Sequence, residues 1–396
     1  MMAKHILLAV SGSVAAYKSC ELVRLLKKQG HQVTVALSCA ATEFVGAQTF
    51  QALSGQPVLT EQHLSANGMD HINATRQADI MLIAPASANT LAKIANGIAD
   101  NLITQLAAAR TCPLVVAPAM NVQMWRNPAN LRNIEQLKQD GIHLLMPAFG
   151  EQACGEIGEG RMLEAKEIAE WLPDFWSEKS LLDKSVLLTV GATFEAIDPV
   201  RGITNTSSGQ MGVALARACR RAGAKVHLIY GLLQTELPVG LTSSHQAKSA
   251  KKMHQAVLQR VNEGVDIFIS VAAVADFYVK NALTQKFKKA ENQDLPVLEL
   301  AENPDILFDV AHLPNAPFCV GFAAESENVL TYARAKRLKK GVPLLVANDV
   351  SVAMGSSVNA VTLIDDNNEI SLPQMNKDDT ATAIVQHLAT LLRKKM

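Results

Sequence analysis

Short apolar runs alternate along this chain with longer amphipathic stretches. In the first part the runs are short and rich in β-branched residues, which is typical of strands buried on both faces. They fall at 4–10, 32–37, 79–84, 114–117 and 143–146. The stretches between them carry apolar residues at helical spacing, as in Leu22, Val23 and Leu26. A succession of strand, helix and strand predicts right-handed crossovers and a parallel sheet.

The same alternation starts again after residues 173–180, which we take as the domain boundary. Apolar runs recur at 185–190, 225–230, 266–276, 318–322, 344–347 and 361–364. We therefore predict an α/β chain of two doubly wound, Rossmann-like parallel-sheet domains. The first domain would span 1–178 and be flavodoxin-like, and the second would span 179–396 and bind a nucleotide.

Composition narrows the class of protein. The 396 residues include 37 Lys and Arg against 37 Asp and Glu, so no net charge attracts nucleic acid or an anionic membrane. No apolar run has the length of a membrane span, and residues 1–10 lack the cleavage site of a secretory signal. The six cysteines show neither a Cys-x-x-Cys pair nor zinc-ligand spacing. These features predict a cytoplasmic protein with reduced thiols that binds neither nucleic acid nor membrane.

The turn Ser11-Gly12-Ser13 follows the first strand and precedes a helix. Backbone N–H groups and hydroxyls at a helix N-terminus suit a phosphate. The dinucleotide fingerprint would need three glycines and an acidic residue after the second strand, where this chain has Ser38. A mononucleotide such as FMN therefore fits the turn better than NAD, although Ser/Gly-rich turns are also common for backbone reasons alone.

Two later strands end alike. Residues 114–117 run into PAMN (118–121), and residues 79–84 run into PASAN (85–89). Because ligands bind at the carboxyl ends of parallel strands, we expect Asn89 and Asn121 at one crevice. The alternative is that each asparagine is an ordinary turn or helix-cap residue.

Residues 150–162 contain four glycines in their first eleven positions, which predicts an irregular loop that closes over a ligand. Cys154 has three acidic neighbours in this loop, and these favour a protonated sulfur suited to proton donation. A plain surface cysteine is the alternative. His71 follows Asp70 shortly before the third strand, and a lone histidine of this kind is either a base or a surface residue.

In the second part, residues 205–212 (NTSSGQMG) lead into a helix and again suit an anion. Lys336 and Lys340 share one face of a later helix by their i, i+4 spacing. With Lys286 they would balance a triphosphate, whereas alone they would form an ordinary solvated face. Neither part contains a Walker-type phosphate loop, which argues against a P-loop ATPase.

Taken together, these motifs closely resemble those of the bacterial bifunctional proteins of coenzyme A biosynthesis, in which a phosphopantothenoylcysteine decarboxylase is fused to a phosphopantothenate–cysteine ligase. The resemblance runs nearly end to end. In the first half it rests on PAMN (118–121), His71 and QACG (152–155). In the second half it rests on the segments 198–201, 205–209, 272–276, 286–289, 303–306, 321–325 and 347–349.

For the first half, the resemblance implies an FMN-dependent decarboxylase. FMN would oxidise the carbon that bears the substrate thiol and so provide an electron sink for the departing carboxylate. Cys154 would donate a proton to the product, His71 would act as base or polarising group, and Asn121 with Met120 would bind the substrate. The flavin-binding residues would be Ser11, Gly12, Ser13, Ser38, Ser87 and Asn89.

For the second half, the resemblance implies CTP-dependent formation of an acyl cytidylate from 4'-phosphopantothenate, followed by attack of the amine of cysteine. Arg201 and Asn205 would bind the substrate, with Asn205 orienting the intermediate, and Mg²⁺ would accompany the nucleotide with Asp276 as a candidate ligand. The nucleotide-binding residues would be Ser270, Val271, Ala272, Asp276, Lys286, Pro304, Asp305, Ile306, Leu307, Phe322, Lys336 and Lys340.

Three positions depart from the family pattern. Phe194 and Gln210 replace an arginine and a lysine usual in the ligase motifs, and Asp70 replaces a glycine before His71, where it adds a carboxylate next to the imidazole in the sequence. One alternative is therefore a decarboxylase whose ligase-like half only dimerises. Another is a flavin-binding regulatory subunit, against which the complete set of candidate catalytic residues argues. The resemblance also implies a homo-oligomer, with decarboxylase trimers joined through ligase dimers into a dodecamer.

Overall fold

The computed structural model describes residues 3–62, 69–288, 297–325, 328–349 and 358–395. The chain divides into two compact units, Met1–Phe175 and Trp176–Met396. Each unit contains its own predominantly parallel sheet. Of the sequence motifs, Lys289 lies outside the described residues.

The first unit alternates strands and helices as the hydrophobic pattern predicts. Its strands are β1 His5–Val10, β2 Gln32–Leu37, β3 Leu59–Thr60, β4 Ile80–Ala86, β5 Leu114–Pro118, β6 His143–Leu144, β7 Ala148–Glu151 and β8 Ile157–Arg161. Its helices are α1 Ala16–Lys28, α2 Cys39–Thr42, α3 Ala47–Ser54, α4 Asp70–Gln77, α5 Ala88–Ala95, α6 Leu102–Ala109, α7 Val122–Arg126, α8 Pro128–Gln139 and α9 Ala165–Trp171, with a 3₁₀ turn at Leu172–Phe175.

The main sheet of this unit has the order β3-β2-β1-β4-β5-β6, and all of its pairs are parallel. The predicted doubly wound class is confirmed. The five strands that the sequence predicts take the flavodoxin order among themselves. The two-residue strand β3, which the sequence analysis misses, extends the sheet beyond β2 and gives it the six-strand order of dinucleotide-binding folds.

Burial explains why the strand signal is so strong. Every residue of β4 and β5 is buried, so these strands appear in the sequence as continuous apolar runs. Helix α1 buries Leu22, Val23 and Leu26, the stripe that the spacing indicated.

Residues 150–162 are not the irregular loop that their glycines predict. Strands β7 and β8 pair there as an antiparallel hairpin, and Gly155 at its turn has a φ of 82°. Gly158 is required by packing, because a Cβ there would lie 2.5 Å from Cγ2 of Val122. The glycines therefore allow a hairpin to approach the neighbouring chain closely, and strand pairing compensates for their backbone entropy.

The second unit repeats the alternation with added hairpins. Its strands are β9 Ser185–Val190, β10 Phe194–Ala196, β11 Gly202–Thr204, β12 Lys225–Tyr230, β13 Ser243–Gln246, β14 Ile267–Ser270, β15 Phe277–Val279, β16 Leu300–Glu302, β17 Phe318–Glu325, β18 Leu344–Asp349, β19 Val358–Asn359, β20 Val361–Ile364, β21 Glu369–Ser371 and β22 Met375–Asn376. Its helices are α10 Gln210–Arg221, α11 Ala250–Asn262, α12 Ile306–Ala311, α13 Val329–Lys340 and α14 Lys377–Lys395.

The main sheet of this unit has the order β13-β12-β9-β14-β17-β18-β20-β21. Its pairs are parallel as far as β18, and β20 and β21 add an antiparallel edge. Val186 and Leu188 of β9 pack into one core cluster while Leu187 packs into another, so helices cover both faces of the sheet. The second doubly wound sheet is thus confirmed.

The apolar run at 266–276 forms a shorter strand than its sequence predicts. Strand β14 ends at Ser270, because the residues after it bond to the loop that follows β9. Ala273 donates its N–H to Gly191 and Ala275 donates its N–H to Thr193. Residues 271–276 therefore form a loop at the carboxyl end of the sheet.

Within the described ranges, no helix combines the length and the apolar character needed to cross a membrane.

Candidate functional sites

The first site begins where the sheet order reverses, between β1 and β4. Ser11 follows β1 and is only 1% exposed. Its Oγ donates to the carbonyl of Pro85 at 2.9 Å and accepts the N–H of Ser87 at 2.8 Å. The side chain of Ser11 therefore ties two strand ends together at the position where open α/β sheets bind ligands.

Gly12 allows the turn after β1 to approach the turn after β2. A Cβ at Gly12 would lie 2.5 Å from the Cβ of Ala40, so a side chain there would push the two turns apart. Ser38 caps α2 by accepting the N–H of Ala41 at 3.1 Å. Ser13 accepts the N–H of Ala15 at 3.2 Å. The three predicted residues Gly12, Ser13 and Ser38 thus belong to adjoining turns.

The chemistry of these turns fits the phosphate of a mononucleotide. Ala15 is the N-cap of α1 and offers no side-chain acceptor to the first turn of that helix. Ser87 is the N-cap of α5, and Asn89 is exposed in the first turn of the same helix. Neutral hydroxyl and amide donors at helix starts are the usual partners of a phosphate.

Asn121 is held in a defined orientation as the N-cap of α7. Its Oδ1 accepts the N–H of Gln123 at 2.8 Å, which directs its NH₂ group towards the β7–β8 hairpin. Nδ2 lies 3.3 Å from Sγ of Cys154 and also donates to the carboxylate of Glu156. The predicted amide and the predicted thiol are therefore in contact.

The hairpin is fastened to the segment after β5 by Gln152. Its Oε1 accepts the N–H of Val122 at 3.0 Å, and its Nε2 donates to the carbonyl of Glu159 at 3.0 Å. Met120 donates its N–H to the carbonyl of Gly160 at 2.9 Å. A Cβ at Gly160 would lie 2.4 Å from the carbonyl oxygen of Met120, and the φ of Gly160 is 129°. Glycine at this position is therefore what permits the close approach.

These contacts enclose a cavity of about 570 Å³. The exposed side chain of Cys154 lies in its wall with Sγ 3.8 Å from Oε2 of Glu156. The whole wall consists of Ser13, Val14, Ala15, Tyr17, Lys18, Ala119, Met120, Asn121, Glu151, Gln152, Ala153, Cys154, Gly160, Arg161 and Met162. A substrate in this cavity would contact an amide donor and a thiol at the same end.

His71 does not line this cavity. It lies in the first turn of α4, half-buried, with its carbonyl accepting the hydroxyl of Thr75 at 3.0 Å. Within one chain the structure thus brings Met120, Asn121 and Cys154 together but leaves His71 apart from them.

The second unit has a similar connection at its own switch point, between β9 and β14. Thr193 is fully buried, and its Oγ1 accepts the N–H of Ala275 at 2.9 Å. Asn205 donates from Nδ2 to the carbonyl of Ala273 at 2.5 Å, and its Oδ1 accepts the N–H of Ser207 at 3.1 Å. Asn205 therefore fixes the loop after β14.

Beside that loop is a cavity of about 470 Å³. The predicted nucleotide-binding residues in its wall are Ser270, Ala272, Asp276, Pro304, Asp305, Ile306, Leu307, Phe322, Lys336 and Lys340. Val271 and Lys286 lie outside the wall. The ammonium group of Lys340 pairs with Asp305, whose other oxygen caps α12 at the N–H of Phe308. The predicted i, i+4 pair of lysines thus faces a cavity rather than bulk solvent alone.

Arg201 and the segment that follows Lys286 lie outside this cavity wall, and both contact Asp198. Arg201 donates from Nε to Asp198 at 2.9 Å, and Phe287 donates its N–H to the same carboxylate at 3.2 Å. The hydrogen bonds from the Arg201 side chain, supported by three backbone N–H groups, hold the pKa of Asp198 well below its ordinary value. Asp198 thus stays ionised and links the two loops, with one face of the Arg201 guanidinium over the ring of Phe287.

Lys377 is a residue that the sequence analysis misses. Its Nζ donates to Oε1 of Gln210 at 2.9 Å, at the start of α10. The helix α14 therefore supplies an ammonium group beside Gln210 at the start of α10. Burial lowers the pKa of Lys377. The two residues are 167 positions apart, so spacing could not have paired them.

Among the residues that the structure describes, no group of three or more His, Cys, Asp or Glu side chains converges on a point where a metal ion would bind. Asp276 lies in the wall of the second cavity, beside Glu302. The sequence prediction of Asp276 as a magnesium ligand therefore stays a prediction.

The comparisons with known proteins define the class first. Residues 1–176 match the flavoprotein family, and residues 181–392 match the family described as DNA/pantothenate metabolism flavoprotein C-terminal domain. This is the class of two-part α/β flavoproteins.

Three similar proteins are each named coenzyme A biosynthesis bifunctional protein CoaBC. The protein from Vibrio cholerae is 44% identical over 389 residues, which cover 96% of this chain and 97% of the relative. The protein from Bacillus subtilis is 41% identical over 400 residues (99% and 98% covered), and that from Escherichia coli is 38% identical over 401 residues (99% and 98%). The chain belongs to the family of bifunctional coenzyme A biosynthesis proteins.

Proposed function

We propose that this protein carries out two successive steps of coenzyme A biosynthesis. The second unit joins cysteine to 4'-phosphopantothenate at the expense of CTP. The first unit decarboxylates the resulting 4'-phosphopantothenoylcysteine to 4'-phosphopantetheine. The observation that carries the proposal is the contact of 3.3 Å between Nδ2 of Asn121 and Sγ of Cys154 in the wall of one cavity. Family membership over nearly the whole chain supports both activities.

In the first unit, different residues take the separate roles that decarboxylation requires. The serine turns at Ser11–Ser13, Ser38 and Ser87 would hold FMN, which would take two electrons from the substrate so that the electron pair of the departing carboxylate has a place to go, and would return them to the product after CO₂ has left. The NH₂ group of Asn121 binds the substrate carboxylate, because it offers donors only. Cys154 gives a proton to the product carbon, and its position beside Asn121 sets it next to the carbon that loses CO₂.

His71 would enter this site from a neighbouring subunit. The position of His71 outside the cavity wall of its own chain supports this arrangement. It agrees with the proposed decarboxylase trimers, which ligase dimers would join into a dodecamer.

The cytoplasmic location stays a prediction from the sequence.

In the second unit, charge neutralisation is the main task. CTP carries several negative charges, and Lys336 and Lys340 lie in the wall of the cavity beside the loop 271–276. Activation of the carboxylate of 4'-phosphopantothenate as an acyl cytidylate provides a leaving group, so that the amine of cysteine attacks without a strong base. Asn205 keeps the loop in place, and Mg²⁺ would accompany the triphosphate.

Mass analysis of the products tests both halves in one experiment. Purified protein is given CTP with Mg²⁺, 4'-phosphopantothenate and cysteine. We expect 4'-phosphopantetheine, with release of pyrophosphate and CO₂. Accumulation of 4'-phosphopantothenoylcysteine would contradict the decarboxylase half. A colourless protein that stays colourless after addition of FMN would contradict it as well.

The second candidate function is a decarboxylase with an inactive, dimerising ligase half, which Phe194 and Gln210 favour. The contact between Lys377 and Gln210 opposes this candidate, since it supplies an ammonium group at the start of α10. Pyrophosphate release separates the two functions. No release above the protein-free blank, together with normal decarboxylation of added 4'-phosphopantothenoylcysteine, would select the second candidate.

A further inference from the structure

Lys18 is a buried cation in the wall of the thiol cavity. It is only 7% exposed, although the adjacent Tyr17 on α1 is 62% exposed. Its Nζ donates to the carbonyl of Met162 at 3.1 Å and to Oε1 of Glu164 at 2.8 Å. An ammonium group has three N–H donors, so the contacts within the described residues leave one donor for a ligand.

Arg161 is the second cation of the same wall. Its guanidinium donates to the oxygen of Glu164 that Lys18 also contacts, at 2.6 Å. Burial alone would raise the pKa of Glu164, but the hydrogen bonds from Lys18 and then from Arg161 outweigh it and lower that pKa. One ionised carboxylate is therefore shared by two cations, which leaves this group of three with one positive charge in excess. Glu164 lies behind the wall, whose own acidic residue is Glu151, exposed on the hairpin; the exposed carboxylate of Glu156 contacts Asn121 and Cys154.

A buried cation with an unused donor favours an anionic ligand, because the cost of its desolvation is otherwise only partly offset. The substrate of the proposed first-unit reaction has anions at both ends of a long chain. Its carboxylate belongs beside Asn121 and Cys154. The other end is a phosphate monoester, with a charge of about −2 and three acceptor oxygens. Lys18 and Arg161 line the same cavity as Asn121 and Cys154.

We propose that Lys18 and Arg161 form a phosphate subsite that binds the 4'-phosphate of phosphopantothenoylcysteine and so selects the phosphorylated substrate. This inference rests on the proposed decarboxylase function of the first unit. The planar guanidinium of Arg161 donates two hydrogen bonds to the phosphate, and the buried ammonium group of Lys18 contributes a point charge. Glu164 keeps both side chains in place without neutralising them fully. The phosphate of FMN would bind separately, at the neutral donors of the serine turns.

The test compares two substrates that differ only in the phosphate: 4'-phosphopantothenoylcysteine and pantothenoylcysteine. Kinetics of decarboxylation are measured with the flavin-loaded full-length protein and with Lys18→Met, and bound FMN is measured from the visible spectrum. We expect Lys18→Met to lower kcat/KM for the phosphorylated substrate by about 10- to 100-fold, mainly through KM, because one charge-assisted hydrogen bond is lost. For pantothenoylcysteine we expect a change below about two-fold, and the FMN content stays at the wild-type value.

Lys27→Met is the matched control. Lys27 lies on the same helix and also donates to a backbone carbonyl, that of Ser54, but it does not line the cavity. We expect it to use both substrates as the wild type does. Arg161→Met, whose side chain is 45% exposed and so tolerates replacement, is the second variant if Lys18→Met fails to fold.

The outcomes separate this inference from the proposed function. Equal losses on both substrates would overturn the subsite and assign Lys18 a structural role. Loss of FMN from Lys18→Met would assign the two cations to the flavin phosphate and overturn the substrate assignment. Equal use of both substrates by the wild type would remove the subsite while leaving the decarboxylase intact. Turnover of neither substrate would overturn the decarboxylase function and the subsite with it.

Discussion

Both units join two neighbouring strand ends by the same type of hydrogen bond, but the sites built around these bonds differ. In each, a hydroxyl that follows the first strand accepts a backbone N–H from the loop after the neighbouring strand. Ser11 accepts from Ser87 at 2.8 Å, and Thr193 accepts from Ala275 at 2.9 Å. Both bonds cross the point where the strand order reverses, so they define the floor of each crevice.

What covers the crevice differs. In the first unit the β7–β8 hairpin supplies Cys154 and places it on Asn121. In the second unit the long helix α13 supplies Lys336 and Lys340 opposite the start of α12. The comparison teaches that the sheet fixes where a ligand lies, whereas the elements added around it determine whether protons or charges are handled there.

The largest effect should come from replacing the thiol. We expect Cys154→Ser to slow formation of the decarboxylated product by about 10²- to 10⁴-fold, the usual contribution of a positioned acid. Bound flavin should remain, and an oxidised intermediate should accumulate, while ligation in the second unit is unchanged. Mass analysis and the visible spectrum measure these effects, and Cys112→Ser is the control. Normal turnover by Cys154→Ser would remove Cys154 from the role of proton donor.

The hairpin itself should be the next most sensitive feature. Gly160→Ala places a Cβ 2.4 Å from the carbonyl oxygen of Met120 at a φ of 129°. We expect it to lower the free energy of unfolding of the first unit by about 3 kcal/mol and to slow decarboxylation by about 10- to 100-fold, because the hairpin must move away from its position over Met120. Gly155→Ala is matched to it, since its φ is 82° but its Cβ would meet open space. The latter should cost about 1 kcal/mol, from backbone strain alone. Equal costs measured by urea unfolding would contradict the packing argument.

Lys340→Met should have a smaller effect, on the use of CTP by the second unit. Loss of one charge-assisted contact to the triphosphate should raise KM for CTP by about ten-fold without changing decarboxylation. Lys339→Met is the control, because Lys339 lies on the same helix, is exposed and does not line the cavity. Steady-state pyrophosphate release measures both variants. If the control and Lys340→Met raised KM equally, the effect would reflect general charge rather than the cavity.

The smallest effects should come from the shared hydroxyls. Ser11→Ala and Thr193→Val each leave one half-buried N–H, that of Ser87 or of Ala275, without its acceptor, which should cost about 1–2 kcal/mol of unfolding free energy. Each substitution should destabilise its own unit. Calorimetry that resolves two transitions would show this as a shift of one transition per variant. A common shift of both transitions would mean that the units unfold together.

Regular strands were predictable because their burial is nearly complete. Strands β2, β9 and β12 begin and end where the apolar runs do. Strand β3 was not predictable, because a strand of two residues is too short to show an apolar run or an alternation. The hairpin at 148–161 was missed because its glycines indicate a loop unless their close packing against Val122 and Met120 is known.

The candidate site residues also divide into those that the sequence predicts and those that only the structure reveals. Asn121, just after β5, and Asp276, in the loop after β14, lie where the topology predicts, in cavity walls at the carboxyl ends of the sheets. Lys18 and Lys377 were missed because a lysine on a helix usually indicates a solvated face. Only the packed structure shows that one of them is buried in a cavity and that the other contacts Gln210.

The bond between Lys377 and Gln210 has a consequence during protein synthesis. Because 167 residues separate donor and acceptor, a nascent chain that has already made α10 still lacks this cation until the start of α14 has been translated as well. Shortened products, from broken transcripts or premature stop codons, would thus emerge with the ligation chemistry incomplete. Under the proposed function, such fragments would not consume CTP wastefully in the cell.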